Sequence, residues 1–288
     1  MGRFGVVLLS LLLAPVAIAA QPESWVEEMS PVRIADDVYY VGTAGLAAFL
    51  FTSDDGHVLM DAPMEVNVPA VLRSIRAVGF DPLDVRLHLA THAHYDHVGG
   101  FAALVRETGS PVRISERDTP FAEAGEDFGF DSEGFPAFPV ERAIADREVI
   151  RVGSSTLTAH LTPGHTPGCT SWSGTIQIGG EPKDFVLVCS LSVLSMYRLT
   201  GDDATYAGHG ADYCRSVARL RSLTPDVFLA NHGGFFSLQE KAAAVAAGQM
   251  DAFEDPQAYR RFLDDAERSI EDALVSEGHV GGCSTLIG

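Results

Sequence analysis

Three histidines and an aspartate lie within a stretch of six residues, as His92, His94, Asp96 and His97. Imidazole and carboxylate groups together are ligands for Zn²⁺ and similar ions. Buried without partners, these groups would cost several kcal/mol in desolvation. Where a strand runs into a turn, His92 and His94 share one face while Asp96 and His97 continue around the bend. The spacing therefore predicts four metal ligands that face one cavity.

Two further histidines follow strand-like segments downstream. His165 lies in a Pro- and Gly-rich turn, and His232 follows a short apolar run at 227–230. The six candidates, five histidines and one aspartate, match two zinc ions with water in the open coordination positions. We predict structural roles for the remaining histidines, because none lies in a comparable cluster. They are His57, His88, His160, His209 and His279.

The secondary structure predicted from the sequence places these ligands at strand ends. In the first half, an apolar stripe predicts a helix over 67–79 and a second helix is predicted at 98–108. The predicted strand at 85–90 runs directly into Thr91 and His92. The other strands predicted in this half are 38–41, 47–52 and 58–60.

The second half repeats the order of strands followed by helices. Its predicted strands are 148–152, 155–161, 170–178, 184–189 and 227–230, and its predicted helices are 208–222, 237–247 and 257–275. Groups of strands followed by helices in each half predict an α/β protein with two sheets face to face and helices outside. Residues 120–147 are rich in Gly, Pro and Phe without a clear period. They predict an irregular loop that borders a cleft.

Composition excludes several classes of protein. The chain has 288 residues, of which 46% are hydrophobic, and a mean hydropathy of +0.11, which argues against disorder. With 20 Lys and Arg against 39 Asp and Glu, the formal net charge is −19. A protein that binds a nucleic acid or an anionic membrane needs a basic surface, which this charge balance does not favour. We therefore expect a small-molecule partner and no nucleic-acid partner.

The first twenty residues have the layout of a secretory signal peptide. Arg3 supplies a positive charge, 4–14 form an apolar run, and small residues at 17–20 precede a polar segment. We predict a signal peptide at 1–20, cleaved after Ala19 or Ala20, and one domain at 21–288. The alternative is an uncleaved anchor, since a span needs about 20 apolar residues. Cleavage predicts a periplasmic or secreted protein without a stable membrane anchor. We also expect a monomer.

The pattern His92-x-His94-x-Asp96-His97 resembles that of the metallo-β-lactamase superfamily, and the resemblance covers nearly all of residues 21–288. The other segments that carry it occur in the family's order and are 60–63, 162–172, 190–192 and 231–232. The set is most similar to subclass B3, whose members place a serine where other branches place a metal ligand. Here that position is Ser190. The resemblance implies an αββα sandwich with a dinuclear zinc site at one edge.

The resemblance also implies roles for individual residues. One zinc ion would be held by His92, His94 and His165, and the other by Asp96, His97 and His232. A hydroxide supplied by the zinc ions and oriented by Asp96 would then open a β-lactam ring. The residues implied for substrate are Ser190 and Ser192 for the carboxylate and Tyr197 for the oxyanion. A further implied role is that of Asp61, which would support a metal ligand without binding metal.

Three alternatives remain open at the level of sequence. The first is a hydrolase of lactones or other esters, such as acyl-homoserine lactones, although related hydrolases place an Asp at the end of the strand where no Asp occurs between Val186 and Thr200. The second is a non-catalytic zinc protein, which would be expected to lack one of the six ligands. The third is a slipped register in which Cys189 is a ligand. Ala62-Pro63 and Gly233 also depart from the common B3 pattern, at the rim of the pocket.

The four cysteines predict structural disulfides. Cys169 begins one predicted strand and Cys189 ends the next, so the two could form a disulfide that closes about 21 residues, worth roughly 3 kcal/mol. Cys214 and Cys283 could form a second pair. Four cysteines allow three connectivities, and the sequence alone does not choose among them.

Overall fold

A computed structural model describes residues 21–130 and 134–287. The predicted signal peptide at 1–20 lies outside these residues. Within them, eleven strands form two sheets, one of six strands and one of five. No helix in the described part of the chain is both long and apolar enough to cross a membrane.

The first sheet follows the order of the sequence. Its strands are β1 (Val32–Arg33), β2 (Val38–Tyr40), β3 (Phe49–Phe51), β4 (His57–Met60), β5 (Val85–Leu89) and β6 (Val112–Arg113). The first four strands pair antiparallel, whereas β4, β5 and β6 pair parallel. Every residue of β3 and β4 is buried, as expected for strands covered on both faces.

The second sheet has the spatial order β11-β10-β9-β8-β7. Its strands are β7 (Val149–Val152), β8 (Ser155–Leu161), β9 (Thr170–Ile178), β10 (Glu181–Val188) and β11 (Val227–Ala230). The strands β7 to β10 form an antiparallel meander, and β11 joins β10 in parallel. The last strand therefore points its carboxyl end in the same direction as that of β10.

Helices cover both sheets. They are α1 (Val68–Ala77), α2 (Tyr95–Val98), α3 (Phe101–Thr108), α4 (Thr119–Ala124), α5 (His209–Arg221), α6 (Leu238–Ala246), α7 (Pro256–Ser276) and α8 (Gly282–Ile287). Each long helix was predicted, with ends within about three residues of those observed. The short strands β1 and β6 and the helices α2, α4 and α8 have too few residues for their periodicity to be recognised in the sequence.

Two hydrophobic clusters define the layers. The larger lies between the sheets, where Phe51 of β3 meets Phe185 of β10 with ring centroids 5.4 Å apart. It extends to apolar residues of α5 and α7, such as Leu220 and Leu263. The smaller cluster joins the outer face of the first sheet to α1 and α3. The predicted αββα sandwich is therefore confirmed.

Two disulfides stabilise the second half of the chain. Cys169 bonds to Cys189 across β9 and the end of β10, and Cys214 of α5 bonds to Cys283 of α8. These are the two pairs considered from the sequence. Because Cys189 is bonded to Cys169, its sulfur is not available to a metal ion, and the slipped-register alternative is wrong.

Candidate metal centre

The six predicted ligands lie together at the ends of three strands. His92 and His94 follow β5, and Asp96 and His97 lie on the short helix α2 directly after them. The other two arrive from the second sheet, since His165 follows β8 and His232 follows β11. The loops that leave the strands of both sheets thus meet at one edge of the sandwich.

A first cluster consists of three imidazoles. Nδ1 of His94 lies 3.1 Å from Nε2 of His92 and 3.1 Å from Nε2 of His165. All three residues are buried. One nitrogen of each ring therefore points at a common position, as in a three-histidine metal site.

A second cluster combines a carboxylate with two imidazoles. Oδ2 of Asp96 lies 3.1 Å from Nε2 of His97 and 3.4 Å from Nε2 of His232, and the two ring nitrogens are 3.1 Å apart. The rings of His92 and His97 approach to 4.5 Å between centroids, so the clusters are neighbours. This arrangement offers two adjacent positions with three protein ligands each.

The outward nitrogens of the first cluster decide what can occupy it. Nε2 of His94 donates to the carbonyl of Phe128 at 3.0 Å, and Nδ1 of His165 donates to the carbonyl of Ser192 at 2.8 Å. A carbonyl only accepts, so each outward nitrogen carries the ring proton and each inward nitrogen carries a lone pair. Two lone pairs that face each other at 3.1 Å need a cation between them. The donor set therefore fits a metal ion.

Burial and charge set the protonation of these ligands in opposite directions. Burial lowers the pKa of His92 and His94 well below the usual range, and that of His165 and His232 to about 4. For His97, burial lowers the pKa but the nearby carboxylates outweigh it and raise the pKa to about 10. Its largest favourable partner is Asp96, whose own pKa is held below its usual value despite burial.

Asp61 is a buried carboxylate next to both clusters. Its Oδ1 accepts from the backbone N–H of Thr91 at 2.7 Å, and its Oδ2 accepts from the Thr91 hydroxyl at 2.9 Å. That hydroxyl also lies 3.0 Å from Nδ1 of His92, while Oδ2 of Asp61 lies 3.6 Å from Nδ1 of His97. The residue has a φ of +61°, an unusual value for a non-glycine residue. These contacts suit the predicted supporting role of Asp61 towards His92, and its carboxylate is also a nearby negative charge for His97.

Asp118 is a supporting residue that the sequence analysis missed. Its carboxylate accepts from the backbone N–H of Ala93 at 2.9 Å, the hydroxyl of Thr166 at 2.7 Å and the backbone N–H of Gly168 at 2.6 Å. A Cβ on Gly168 would lie 2.6 Å from the carboxyl carbon, so only glycine fits there. Burial raises the pKa of Asp118 to about 6, against the effect of its donors, which leaves an anion at pH 7. Asp118 thus joins the loop of His92 and His94 to that of His165.

The three residues predicted to bind substrate differ in their surroundings. Ser190 and Ser192 line the cavity in front of the metal ligands, and Oγ of Ser190 accepts from the backbone N–H of Ser192. Tyr197 is buried, and its hydroxyl donates to the carbonyl of His165 at 2.7 Å. The hydroxyl of Tyr197 therefore contacts a metal-ligand loop.

The cavity measures about 330 Å³ and has partly aromatic walls. Trp25 lies 5.8 Å from the ring of His232 and 5.9 Å from that of Tyr95. Phe130 comes from the irregular segment predicted to border a cleft, and it packs edge-on against His94 at 5.6 Å. The sequence analysis did not identify Trp25 or Phe130, because neither belongs to a motif.

Comparisons with known proteins agree with this fold. Residues 43–176 match the family model of the metallo-beta-lactamase superfamily. The chain is similar to the crystal structure of BJP-1, a subclass B3 metallo-beta-lactamase of Bradyrhizobium japonicum. Identity is 35%, the TM-score is 0.83, and 89% of this chain and 97% of that chain are covered. The native FEZ-1 metallo-beta-lactamase from Legionella gormanii matches at 32% identity and a TM-score of 0.84, over 89% and 98% of the two chains.

Curated sequence relatives include hydrolases with other names. A hydroxyacylglutathione hydrolase of Methylobacterium nodulans is 30% identical over 198 residues, which cover 61% of this chain and 69% of the relative. A metal-dependent hydrolase of Anaeromyxobacter dehalogenans is 28% identical over 71% of this chain and 68% of its own length.

Fold and site together define an α/β sandwich hydrolase with a histidine-rich metal centre at one edge. The chain belongs to the metallo-beta-lactamase superfamily and is B3-like within it.

Proposed function

We propose that this protein is a dinuclear-zinc hydrolase that opens the β-lactam ring of antibiotics. The observation that carries the proposal is the pair of adjacent three-ligand clusters, in which inward lone pairs of the first cluster face one another at 3.1 Å. Similarity to B3 metallo-beta-lactamases over nearly their whole length supports the choice of substrate. His92, His94 and His165 would hold one ion, and Asp96, His97 and His232 the other.

The metal ions would supply an acidified water near neutral pH and polarise the substrate carbonyl. The protein's own residues orient the attacking water and exclude bulk water from the cavity. Asp96 is an anion at the junction of the clusters, where its carboxylate can accept a hydrogen bond from the attacking water and orient that water towards the substrate carbonyl. Trp25 and Phe130 wall the cavity and limit the access of bulk water.

Ser190 and Ser192 are suited to bind a substrate carboxylate. Both line the cavity, and the backbone of Ser192 is fixed because its carbonyl accepts from His165 and from the hydroxyl of Tyr213 at 2.7 Å. A carboxylate held there would place the neighbouring four-membered ring over the clusters. Tyr197 would act through the loop of His165, because its hydroxyl is engaged with that carbonyl.

Lactones and other esters are the second candidate substrates. Curated relatives that carry a hydroxyacylglutathione hydrolase name favour them. Ser190, which stands at the end of β10 where ester-cleaving branches place an Asp, favours the β-lactam. We also propose export to the periplasm or the medium as a monomer, and the two disulfides support an oxidising compartment.

The test is hydrolysis of a chromogenic cephalosporin by purified residues 21–288, beside a panel of lactones. We expect cephalosporin turnover that a chelator abolishes and Zn²⁺ restores. His92→Ala should lose this turnover, whereas His279→Ala should keep it, because His279 is a half-buried histidine outside both clusters. Absence of β-lactam turnover by folded, zinc-loaded protein would overturn the proposal, and lactone turnover in the same assay would select the second candidate.

A further inference from the structure

A second cavity of about 410 Å³ adjoins the metal centre. It lies between the loop after β10, the 3-10 turn Gly233–Phe236 that follows His232, and one face of α7. Its volume falls in the range of small-molecule sites, about 300 to 1,000 Å³. None of the six candidate metal ligands lines it.

The two cavities share a wall. Ser192 lines both of them. Its hydrogen bonds to other described residues use its backbone N–H and carbonyl, so its side-chain hydroxyl can contact a ligand in either cavity. A row of aromatic rings also runs from the metal centre to the second cavity. The ring of Phe235 lies 5.3 Å from that of His232 and 5.6 Å from that of Phe262.

The walls of this cavity favour a flat apolar group with a polar end. Leu191, Phe235 and Phe262 supply apolar surface, and Phe235 is 37% exposed although it is a large aromatic residue. Charged residues of α7, Arg261 and Asp265, stand at the edge. Aromatic side chains of this kind bind aromatic ligands by offset or edge-to-face contact.

We propose that this cavity is a binding subsite for an aromatic substituent next to the substrate carboxylate. The inference rests on the proposed function, in which Ser192 binds that carboxylate. In a cephalosporin the carboxylate and the C3 substituent are attached to adjacent ring atoms. A carboxylate at Ser192 therefore directs an aromatic C3 arm across the shared wall, towards Phe235 and Phe262.

Gly234 offers a way to fill the cavity. A Cβ at this position meets nothing within 4 Å, and its φ is not left-handed, so Gly234→Phe introduces a ring without backbone strain. Phe262→Ala removes a wall instead. Its matched control is Phe80→Ala, because Phe80 is also half-buried and contacts two rings, those of Tyr39 and His57, far from both cavities.

The experiment compares a cephalosporin that has an aromatic C3 arm with one that has a C3 methyl group. In Gly234→Phe and Phe262→Ala we expect KM to rise about tenfold for the aromatic substrate and less than twofold for the methyl substrate, with kcat unchanged. Phe80→Ala should change neither KM. Equal changes for the two substrates, or no change, would overturn the inference.

Calorimetric binding of the same two compounds to the chelated full chain gives a readout that does not depend on turnover. We expect the aromatic compound to bind about tenfold more tightly than the methyl compound, and Gly234→Phe to abolish this difference. If Gly234→Phe abolishes this difference in affinity but the zinc-loaded protein hydrolyses neither compound, the subsite is supported and the proposed function is overturned. Hydrolysis of both compounds without any difference in binding would overturn the subsite alone.

Discussion

The two ligand clusters are supported by the fold in different ways. In the first cluster, each outward ring nitrogen faces a protein oxygen, from Thr91, Phe128 or Ser192, at 2.8 to 3.0 Å. In the second cluster, Nδ1 of His97 lies 3.6 Å from Asp61, beyond hydrogen-bond distance. The side chain of His232 is 22% exposed and contacts the rings of Trp25 and Phe235.

Charge separates the clusters as well. The first consists of neutral imidazoles whose pKa values are lowered by burial, so their lone pairs are available without loss of a proton. The second contains the Asp96 anion and a His97 that holds its proton in the absence of metal. The first cluster is neutral and preorganised, which suits a metal ion that stays bound. The second cluster is charged and less tightly held, which suits a metal ion whose coordination changes during the reaction. We therefore expect the first cluster to bind metal more tightly.

The largest effect is expected from removal of a first-cluster ligand. His94→Ala should reduce bound zinc from two ions to one and lower cephalosporin hydrolysis about 10³-fold, because a Lewis acid stabilises the transition state by several kcal/mol. His232→Ala should lower hydrolysis less, about 30-fold, and weaken zinc retention at the second cluster alone. Elemental analysis after dialysis and steady-state rates measure both. A larger loss of zinc and activity in His232→Ala would reverse the comparison.

Acidification should lower the zinc affinity of the second cluster about 100-fold relative to that of the first. The pKa of His97, raised to about 10, means that metal must displace one proton from the second cluster anywhere below that pH. Its zinc affinity should therefore fall tenfold for each pH unit lost, or about 100-fold from pH 8 to pH 6. Burial lowers the pKa of every histidine in the first cluster, that of His165 to about 4, so the zinc affinity of this cluster should change little.

Zinc titrations against a chromophoric chelator at the two pH values measure this difference. Asp61→Asn provides the control, because removal of a carboxylate that raises the pKa of His97 should flatten the dependence at the second cluster. If both clusters show the same dependence on pH in the unaltered protein, the electrostatic distinction between them is wrong.

Asp118→Asn should lower the zinc affinity of the first cluster about 10- to 100-fold. The amide retains one acceptor oxygen, so its NH₂ group must face the N–H of Ala93 or that of Gly168, and one of the two loops is released. Asp146→Asn is the matched control. Asp146 also accepts a backbone N–H before His165, that of Leu161 at 3.0 Å, but lies at the surface. Equal weakening of both clusters by Asp118→Asn would contradict its assignment to the first.

These residues also show how far the sequence alone could reach. The six candidate ligands could be predicted because chemical type and position at a strand end are local properties of the chain. The supporting role of Asp61 was implied by the resemblance to the metallo-β-lactamase superfamily. Asp118 was missed because its three donors come from two distant loops, and only the packing of one sheet against the other brings them together. Trp25 precedes the first strand and was missed because it belongs to no motif, and only the packing of the fold brings its ring to Tyr95 and His232.

The smallest effect is expected from Trp25→Ala, which removes a ring in contact with His232 and Tyr95. An aromatic contact of this kind is worth about 0.5 to 1.5 kcal/mol, so zinc affinity at the second cluster should fall about two- to tenfold. Trp25→Phe retains a ring and should recover most of it. Zinc dissociation rates for the two variants measure the change. Because Trp25 also lines the cavity, KM for the cephalosporin should rise in Trp25→Ala. A change in KM without a change in zinc retention would show that the ring serves substrate alone, and that exposure of His232 by itself does not make the second cluster weaker.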